Sequence, residues 1–241
     1  PEEGVVPLST SLDHVGPLAR DVDTLWRAMH VLADWGEAPA LTPRELSGLK
    51  LGVWSGDGAV ELTPAVKAGF DAILDRLRAA GAILEPVTPE SYDYSRSRRA
   101  GLLVSEVEGA KEHGVTADGD RPAGLSDTFY NLLHWGTRQP QDKVEAAYAH
   151  IEEVHGAAAK TWLDVDFVIA PTAPQEAFRF TDPVPANQAD FTAWADFARL
   201  PATAIFTGMS SEQLPLSVQV IGPEVQDRDT LKSAAAIESL F

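Results

Sequence analysis

The sequence contains no cysteine among its 241 residues. Disulfide bridges, thiolate nucleophiles and cysteine-based zinc sites are therefore excluded. Long apolar runs are missing as well, because no stretch reaches the roughly 18 consecutive apolar residues that a membrane-spanning helix needs. No charged segment followed by an apolar one indicates a secretory leader. We therefore expect a cytoplasmic protein that has no membrane partner.

Basic residues are few, since 19 lysines and arginines stand against 36 aspartates and glutamates, for a formal charge of −17. Nucleic-acid binding depends on basic side chains that neutralise phosphates. The acidic balance therefore argues against nucleic acid as a partner. The only basic cluster, Arg96, Arg98 and Arg99, is interpreted as the solvated face of a helix.

Short motifs for metals, nucleotides and serine nucleophiles are also missing, since HExxH, GxGxxG, GK[ST] and G-x-S-x-G do not occur. His150 and His155 lie on one predicted helix, but their spacing turns them about 500° apart, which aligns them poorly for one ion. We interpret them as solvated side chains. The glycines of "SGDGAV" are interpreted as a plain turn. We expect neither a metal nor a cofactor.

What the sequence does contain is a strand, a helix and a second strand joined by short connections. "LKLGVW", Leu49 to Trp54, reads as the first strand, and Ala82 to Val87 as the second. Between them, Thr63 and Pro64 predict a helix start with a capping hydroxyl and a proline at the first helical position. Gly81 ends that helix. This βαβ unit predicts that the two strands pair in parallel.

The rest of the chain continues in the same style. The apolar residues between Val22 and Ala33 recur at helical spacing and predict a first helix. The predicted later elements are helices near Ser91–His113, Ser126–Gly136 and Gln141–Leu163, a strand at Asp166–Pro171, a short helix near Phe191–Ala198, strands in "PATAIF" and "LPLSVQVIG", and a last helix from Asp227. The predicted fold class is α/β, a mixed β-sheet covered by helices. No linker resembles a domain boundary, so residues 1–241 are expected to form a single domain.

Several segments resemble the amidase signature family, in order and along essentially the whole chain. "GVVPLSTSLDHVGPLARDV" resembles that family's G-x-x-P-L-S-x-S-L-D-x-V-G-P-L-A-R-x-V stretch. "LKLGVW" with "LTPAVKAGFDAILDRLRAAGAILEPV" is similar to its next strand, helix and strand. "DVDFVIAPTAP" and "FTAWADFARLPATAIFTG" with "LPLSVQVIGP" are similar to its later segments. The resemblance implies hydrolysis of a small-molecule amide through an acyl-enzyme.

The family's catalytic lysine and two serines have no counterpart in this chain. The resemblance implies that those serines lie in Gly/Ser-rich segments, whereas this chain has no Gly-Gly dipeptide and Ser210-Ser211 falls in the family's variable hairpin. None of the six lysines stands in the matching context. We therefore expect the C-terminal portion of a larger amidase domain, with no catalytic residue of its own.

Such a portion is expected to expose an apolar patch or an open sheet edge. Its expected partner is the N-terminal half of the same protein, and self-association into a homo-oligomer is the other expectation. The alternative function is a binding or scaffold protein that kept the fold and lost the chemistry.

This chain departs from the family pattern at several positions. Asp196 and Arg199 replace the Asn and Gly of N-x-x-G-x-P, while Gln213 and Ser217 replace the glycines of G-L-P-x-G. These changes are consistent with drift in a subfamily or with relaxed constraint in a non-catalytic protein.

Four residues are candidates for substrate contact, each with a structural alternative. The resemblance implies that the residue after "SLD" lies near the active site, which makes Asp13 and His14 the first candidates. The alternative is that Asp13 caps a turn and His14 packs beside Val15. Thr172 opens a loop at the predicted pocket mouth, or belongs to a structural proline loop. Trp135 contributes to the pocket wall, or packs in the core.

Overall fold

The computed structural model describes residues 4–56 and 58–241, in which helices cover both faces of a five-stranded sheet. The elements in chain order are α1 (Val22–Leu32), β1 (Lys50–Val53), α2 (Pro64–Ala79), β2 (Ile83–Pro86), α3 (Tyr94–Glu112), α4 (Asp127–Gly136), α5 (Gln141–Ala158), a 3-10 helix (Ala159–Leu163), β3 (Phe167–Pro171), α6 (Ala193–Phe197), β4 (Ala202–Met209), β5 (Pro215–Ile221) and α7 (Asp227–Glu238). The predicted α/β class is confirmed.

The sheet has the strand order β2-β1-β3-β5-β4. β1 pairs in parallel with β2, placing Lys50 opposite Ile83, and it also pairs in parallel with β3. β5 is antiparallel to both β3 and β4. The predicted βαβ unit and the mixed character of the sheet are therefore confirmed. The carboxyl ends of β1, β2 and β3 lie at one edge, where ligand sites of open α/β sheets are usually found.

Two helix ends differ from the sequence prediction. Pro64 is the first residue of α2, but the Thr63 side chain makes no capping hydrogen bond, so the predicted capping hydroxyl is wrong. Pro64 lacks an N–H, and its ring presets the helical backbone without help from a side chain. The helix predicted to reach Leu163 is α-helical only to Ala158 and continues as 3-10 helix. Such tightening is common at the C-terminal ends of helices.

Each face of the sheet covers its own hydrophobic core. Alternate residues of one strand enter different cores, because successive side chains point to opposite faces. Ile169 belongs to the core under α1, α2 and α7, whereas Val168 belongs to the core under α3, α5 and α6. In the second core the Trp54 ring, just after β1, lies 5.0 Å from Phe191 and 5.5 Å from Trp194. These ring contacts attach the segment before α6 to the carboxyl end of β1.

The packing around α3 overturns two predictions about basic residues. His150 is buried, and its Nε2 lies 2.9 Å from the Ser97 hydroxyl, so it is not the solvated side chain that was predicted. His150 faces inward because α5 packs against α3 at this point. Arg98 does not belong to a solvated face either, because its Nε lies 2.8 Å from a carboxylate oxygen of the buried Asp190, in the segment before α6.

β4 stands at one end of the sheet formed by the described residues. Its Ala202, Ala204 and Phe206 are exposed, as is Met209 at the strand end. An unpaired strand edge presents free N–H and C=O groups to another chain. The segment before α1 also exposes apolar side chains, which are Val5, Val6, Leu8, Val15 and Leu18.

Candidate functional site

The segment Leu8–His14 is a closed loop that is held together by its own aspartate. The Asp13 carboxylate accepts hydrogen bonds from the backbone N–H groups of Leu8, at 2.7 Å, and Ser9, at 3.0 Å. The Ser9 carbonyl in turn accepts from the N–H groups of Leu12 and Asp13. Asp13 therefore caps this loop, as the structural alternative to substrate contact predicts. His14 follows at the end of the loop and is exposed.

The carboxylate of Glu108, on α3, binds this loop through hydrogen bonds. Glu108 Oε2 accepts from the Ser9 hydroxyl at 2.6 Å and from the Ser11 N–H at 2.9 Å. Glu108 Oε1 accepts from the Ser11 hydroxyl at 2.5 Å and from the Tyr148 hydroxyl of α5 at 2.8 Å. Burial by itself would raise the pKa of Glu108, but the hydrogen bonds from Ser11, Ser9 and Tyr148 outweigh it and lower the pKa. The group is therefore a buried, ionised acceptor.

His14 faces an acidic residue of α6. Its Nδ1 lies 3.8 Å from Asp196 Oδ1, and the His14 side chain is 73% exposed whereas that of Asp196 is 28% exposed. Burial raises the pKa of Asp196 to about 6, the nearby His14 opposes that rise, and Asp13 adds to it. The loop and α6 thus form a surface with a carboxyl that changes charge near neutral pH. Asp13, His14 and Asp196 are called the loop cluster below.

Thr172 lies directly after β3, at the carboxyl edge of the sheet. Its Oγ1 is buried and makes no hydrogen bond to the described residues. The Gln219 side chain of β5 donates to the Phe191 carbonyl at 2.6 Å and to the Pro171 carbonyl at 3.4 Å, which joins the end of β3 to the segment before α6. No hydrogen bond connects the Thr172 side chain to the loop cluster within residues 4–56 and 58–241.

Trp135 lies near the end of α4, and the next residue, Gly136, packs against the backbone of Glu106 on α3. Its side chain is 49% exposed, so core packing does not account for it. Phe129 on the same helix is half-buried and meets the His113 ring at 5.1 Å. No hydrogen bond or ring contact joins the Trp135 side chain to Asp13, His14 or Thr172 in the described part of the chain. The structure therefore brings Asp13 and His14 together with Asp196, and joins neither Thr172 nor Trp135 to them by a hydrogen bond or ring contact among the described residues.

Two concave spaces lie outside the loop cluster. A cavity of about 40 Å³ lies between α2 and the β4–β5 hairpin, and Ala173 and Gln175 of the predicted pocket loop line part of it. An open groove of about 540 Å³ runs along β2 and the 3-10 helix, between Glu85 and Lys160. Neither Asp13, His14 nor Thr172 lines either space.

Sequence reasoning missed Glu108, although the chain carries a signal for it. Ala100, Val104 and Glu108 follow one another at helical spacing of four, and all three are buried. A lone carboxylate on the apolar stripe of a helix requires hydrogen-bond donors from elsewhere in the fold. The donors themselves, Ser9 and Ser11, stand in the "STSLD" segment.

A model of the Amidase family matches residues 1–231. The chain belongs to the Amidase family. Among similar proteins, the 2-amino-5-chloromuconic acid deaminase of Comamonas testosteroni is 28% identical over 254 residues, which cover 100% of this chain and 54% of that protein. A glutamyl-tRNA(Gln) amidotransferase subunit of Acidobacterium capsulatum is 26% identical over 279 residues, which cover 98% of this chain and 58% of that protein. This Amidase-family chain thus spans just over half the length of these relatives.

Solved structures of the Amidase family share the fold. The crystal structure of an amidase superposes with a TM-score of 0.79 at 20% identity, and covers 96% of this chain and 53% of the other. The corresponding glutamyl-tRNA(Gln) amidotransferase subunit of Thermotoga maritima superposes with a TM-score of 0.77 at 20% identity, and covers 99% of this chain and 55% of the other. At this identity the likeness establishes the fold alone.

The departures from the Amidase-family pattern have a structural consequence at two positions. Arg199 has φ +56° and Gln213 has φ +60°, both in the left-handed region that favours glycine. The two replacements therefore place residues with a Cβ at positions whose backbone conformation favours glycine. The Arg199 side chain reaches Glu152 at 2.6 Å, whereas Gln213 is exposed in the hairpin turn.

Neither a metal-ligating cluster nor a membrane-spanning helix occurs among the described residues. Within those ranges, no group of three or more His, Asp or Glu side chains is arranged to hold a metal ion. Of the helices that the described residues form, none has the length and apolar character needed to cross a membrane.

Proposed function

We propose that this chain supplies the C-terminal portion of an Amidase-family hydrolase that converts a small-molecule carboxylic amide to a carboxylate and ammonia or an amine. Residues 1–241 would belong to one larger α/β amidase domain in the cytoplasm. The observation that carries the proposal is the family match over residues 1–231. This chain also covers only 54% and 58% of the length of two relatives.

Amide hydrolysis through an acyl-enzyme needs a nucleophile, a base and oxyanion donors in one place. We assign these to the N-terminal portion, because the resemblance puts the catalytic lysine and serines in segments that have no counterpart here. This chain then contributes the sheet and one wall of the pocket. In this proposal His14 and Asp13 shape that wall at the loop cluster. Thr172 offers a hydroxyl that has no hydrogen-bond partner among the described residues, and Trp135 offers an exposed apolar ring.

The proposed partner is the N-terminal portion of the same protein. The open edge of β4 and the exposed apolar side chains of the segment before α1 support this, because both are surfaces that another chain or segment would bury. Two similar proteins are named as subunits of an amidotransferase, which describes components of an assembly. Self-association into a homo-oligomer is the competing use of the same surface.

The test is reconstitution. The 241-residue chain alone, and the chain co-expressed with the N-terminal portion, are assayed on an activated anilide and treated with a serine-directed fluorophosphonate probe. We expect turnover and labelling only in the mixture, with the label on the N-terminal portion. Labelling of any serine in this chain would contradict the proposal.

A non-catalytic binding or scaffold role is the second candidate. The replacement of two pattern glycines at left-handed positions supports it, since relaxed constraint in a non-catalytic protein would permit such changes. A mixture that assembles fully, as judged by analytical ultracentrifugation, and yet neither turns over the anilide nor reacts with the probe would support this role.

A further inference from the structure

Glu108 joins three segments that are distant in the sequence. The Ser9–Ser11 segment, α3 and the Tyr148 hydroxyl of α5 all meet at this one carboxylate through four hydrogen bonds. Glu108 itself is only 8% exposed. Carboxylates accept hydrogen bonds but do not donate them when ionised, and here every partner is a donor. The arrangement is therefore complete without a ligand.

Glu108 accepts most of the polar contacts between the Leu8–His14 loop and the rest of the fold. The hydrogen bonds of Asp13 run to Leu8 and Ser9, and so they close the loop on itself without tying it to the rest of the fold. A further polar attachment is at Pro7, whose carbonyl lies 2.8 Å from His113 Nε2, just outside the loop. At the far end of the loop, His14 meets Asp196 at 3.8 Å, which is a weak exposed contact.

We propose that Glu108 is a positioning residue of the amide-hydrolysis site, which holds the Leu8–His14 loop so that His14 faces Asp196 on α6. The inference rests on the proposed function for the amide-hydrolysis site, whereas the placement of the loop is testable without any activity. Glu108 does not touch the substrate in this proposal. It acts through Ser9 and Ser11, and its lowered pKa means that the attachment persists across the range in which Asp196 changes charge.

The first measurement uses the titration of Asp196 to report whether the Leu8–His14 loop stays in place. The Cγ signal of Asp196 is followed by NMR against pH, and is assigned by its disappearance in Asp196→Asn. In the unaltered chain we expect a midpoint of about 6. In Glu108→Ala the loop is released, Asp196 becomes more hydrated, and the midpoint falls by at least about one unit toward the ordinary aspartate value near 3.9.

A second variant protects the test against misfolding. The double variant Ser9→Ala with Ser11→Ala removes two hydroxyl donors to Glu108 without leaving a cavity in α3, and the same fall in midpoint is expected. Glu112→Gln serves as the matched control, since it removes a carboxylate from an exposed position of the same helix. Native far-UV and near-UV spectra, together with an unchanged Asp196 midpoint in the double variant, would overturn the proposal.

The activity arm uses the chain together with the N-terminal portion. We expect the double variant to lower kcat/KM for the anilide by about 10-fold to 100-fold, the range that misplacement of a site element produces, while Glu112→Gln stays within about twofold. A shifted Asp196 midpoint with unchanged kcat/KM would overturn the positioning role but leave the proposed function standing. Absence of activity in the unaltered mixture would instead count against the proposed function. In that case the NMR titration still decides whether Glu108 places the Leu8–His14 loop.

Discussion

His14 Nδ1 lies 3.8 Å from Asp196 Oδ1, although the two residues are 182 positions apart in the sequence (196 − 14). The pair forms because the Leu8–His14 loop is held on α3 while α6 is attached to the carboxyl edge of the sheet. Two titratable groups act on the Asp196 carboxyl, which are His14 and Asp13. Burial and Asp13 raise the pKa of Asp196, whereas His14 lowers it.

Asp196→Asn should stabilise the chain at pH 8 and have little effect at pH 4. The folded pKa of about 6 lies above the ordinary value of 3.8, so the folded chain binds the proton more tightly than the unfolded chain. That stabilising contribution is present at low pH and is lost as the pH rises through 6. Asn is uncharged at high pH, so the free energy of unfolding at pH 8 should rise by about 2 kcal/mol. Urea unfolding at both pH values measures it, and equal gains at pH 4 and pH 8 would contradict the reasoning.

His150 should make the chain sensitive to acid. Burial lowers the pKa of His150, the positive charge of Arg96 lowers it further, and Glu153 and Asp93 oppose these effects. Because the folded pKa lies below 6.5, the unfolded chain takes up a proton first, and stability falls as the pH drops below that value. His150→Gln, which keeps a group able to bond Ser97, should flatten this loss below pH 6.5. Unfolding midpoints from pH 8 to pH 5 test it, with His155→Gln, at a more exposed histidine of the same helix, as control.

Gln213→Gly should stabilise the hairpin between β4 and β5. The φ of +60° strains a residue that has a Cβ, by about 1 kcal/mol, whereas glycine adopts it freely. Part of the gain is offset because glycine is more disordered in the unfolded chain, so we expect a net gain of up to about 0.5 kcal/mol. Gln213→Ala, which keeps the Cβ, is the matched control and should give no gain. Thermal unfolding measures both variants.

Gly136→Ala and Gly156→Ala should have opposite effects. A Cβ at Gly136 would stand 2.8 Å from the backbone carbon of Glu106, which α3 holds in place, so α4 would have to move. We expect a loss of about 1 to 3 kcal/mol. At Gly156, within α5, a Cβ meets nothing within 4 Å, and the better helix former should add about 0.5 to 1 kcal/mol. Denaturant midpoints compare the two, and a stabilised Gly136→Ala would show that the α3–α4 contact is looser than described.

Much of the fold followed from local patterns. The βαβ unit was predictable because Leu49–Trp54, the Pro64 helix start and Gly81 each act within a few residues. The element positions differed from the prediction at helix ends, as at the start of α3 and at the 3-10 helix after Ala158. The site was less predictable. His14 and Asp13 were predicted through resemblance, whereas Glu108 was missed because its partners are far away in the sequence.

The sequence by itself determined the order of strands and helices, the parallel βαβ unit and membership of a family, because periodicity and motif order are properties of neighbouring residues. Only the tertiary structure decided which polar residues meet. Ser9 and Glu108 are 99 residues apart in the sequence, and His150 became buried only when α5 packed on α3. A hydrogen bond requires its two atoms within about 3 Å of each other, and for distant residues the packing of whole elements sets that distance.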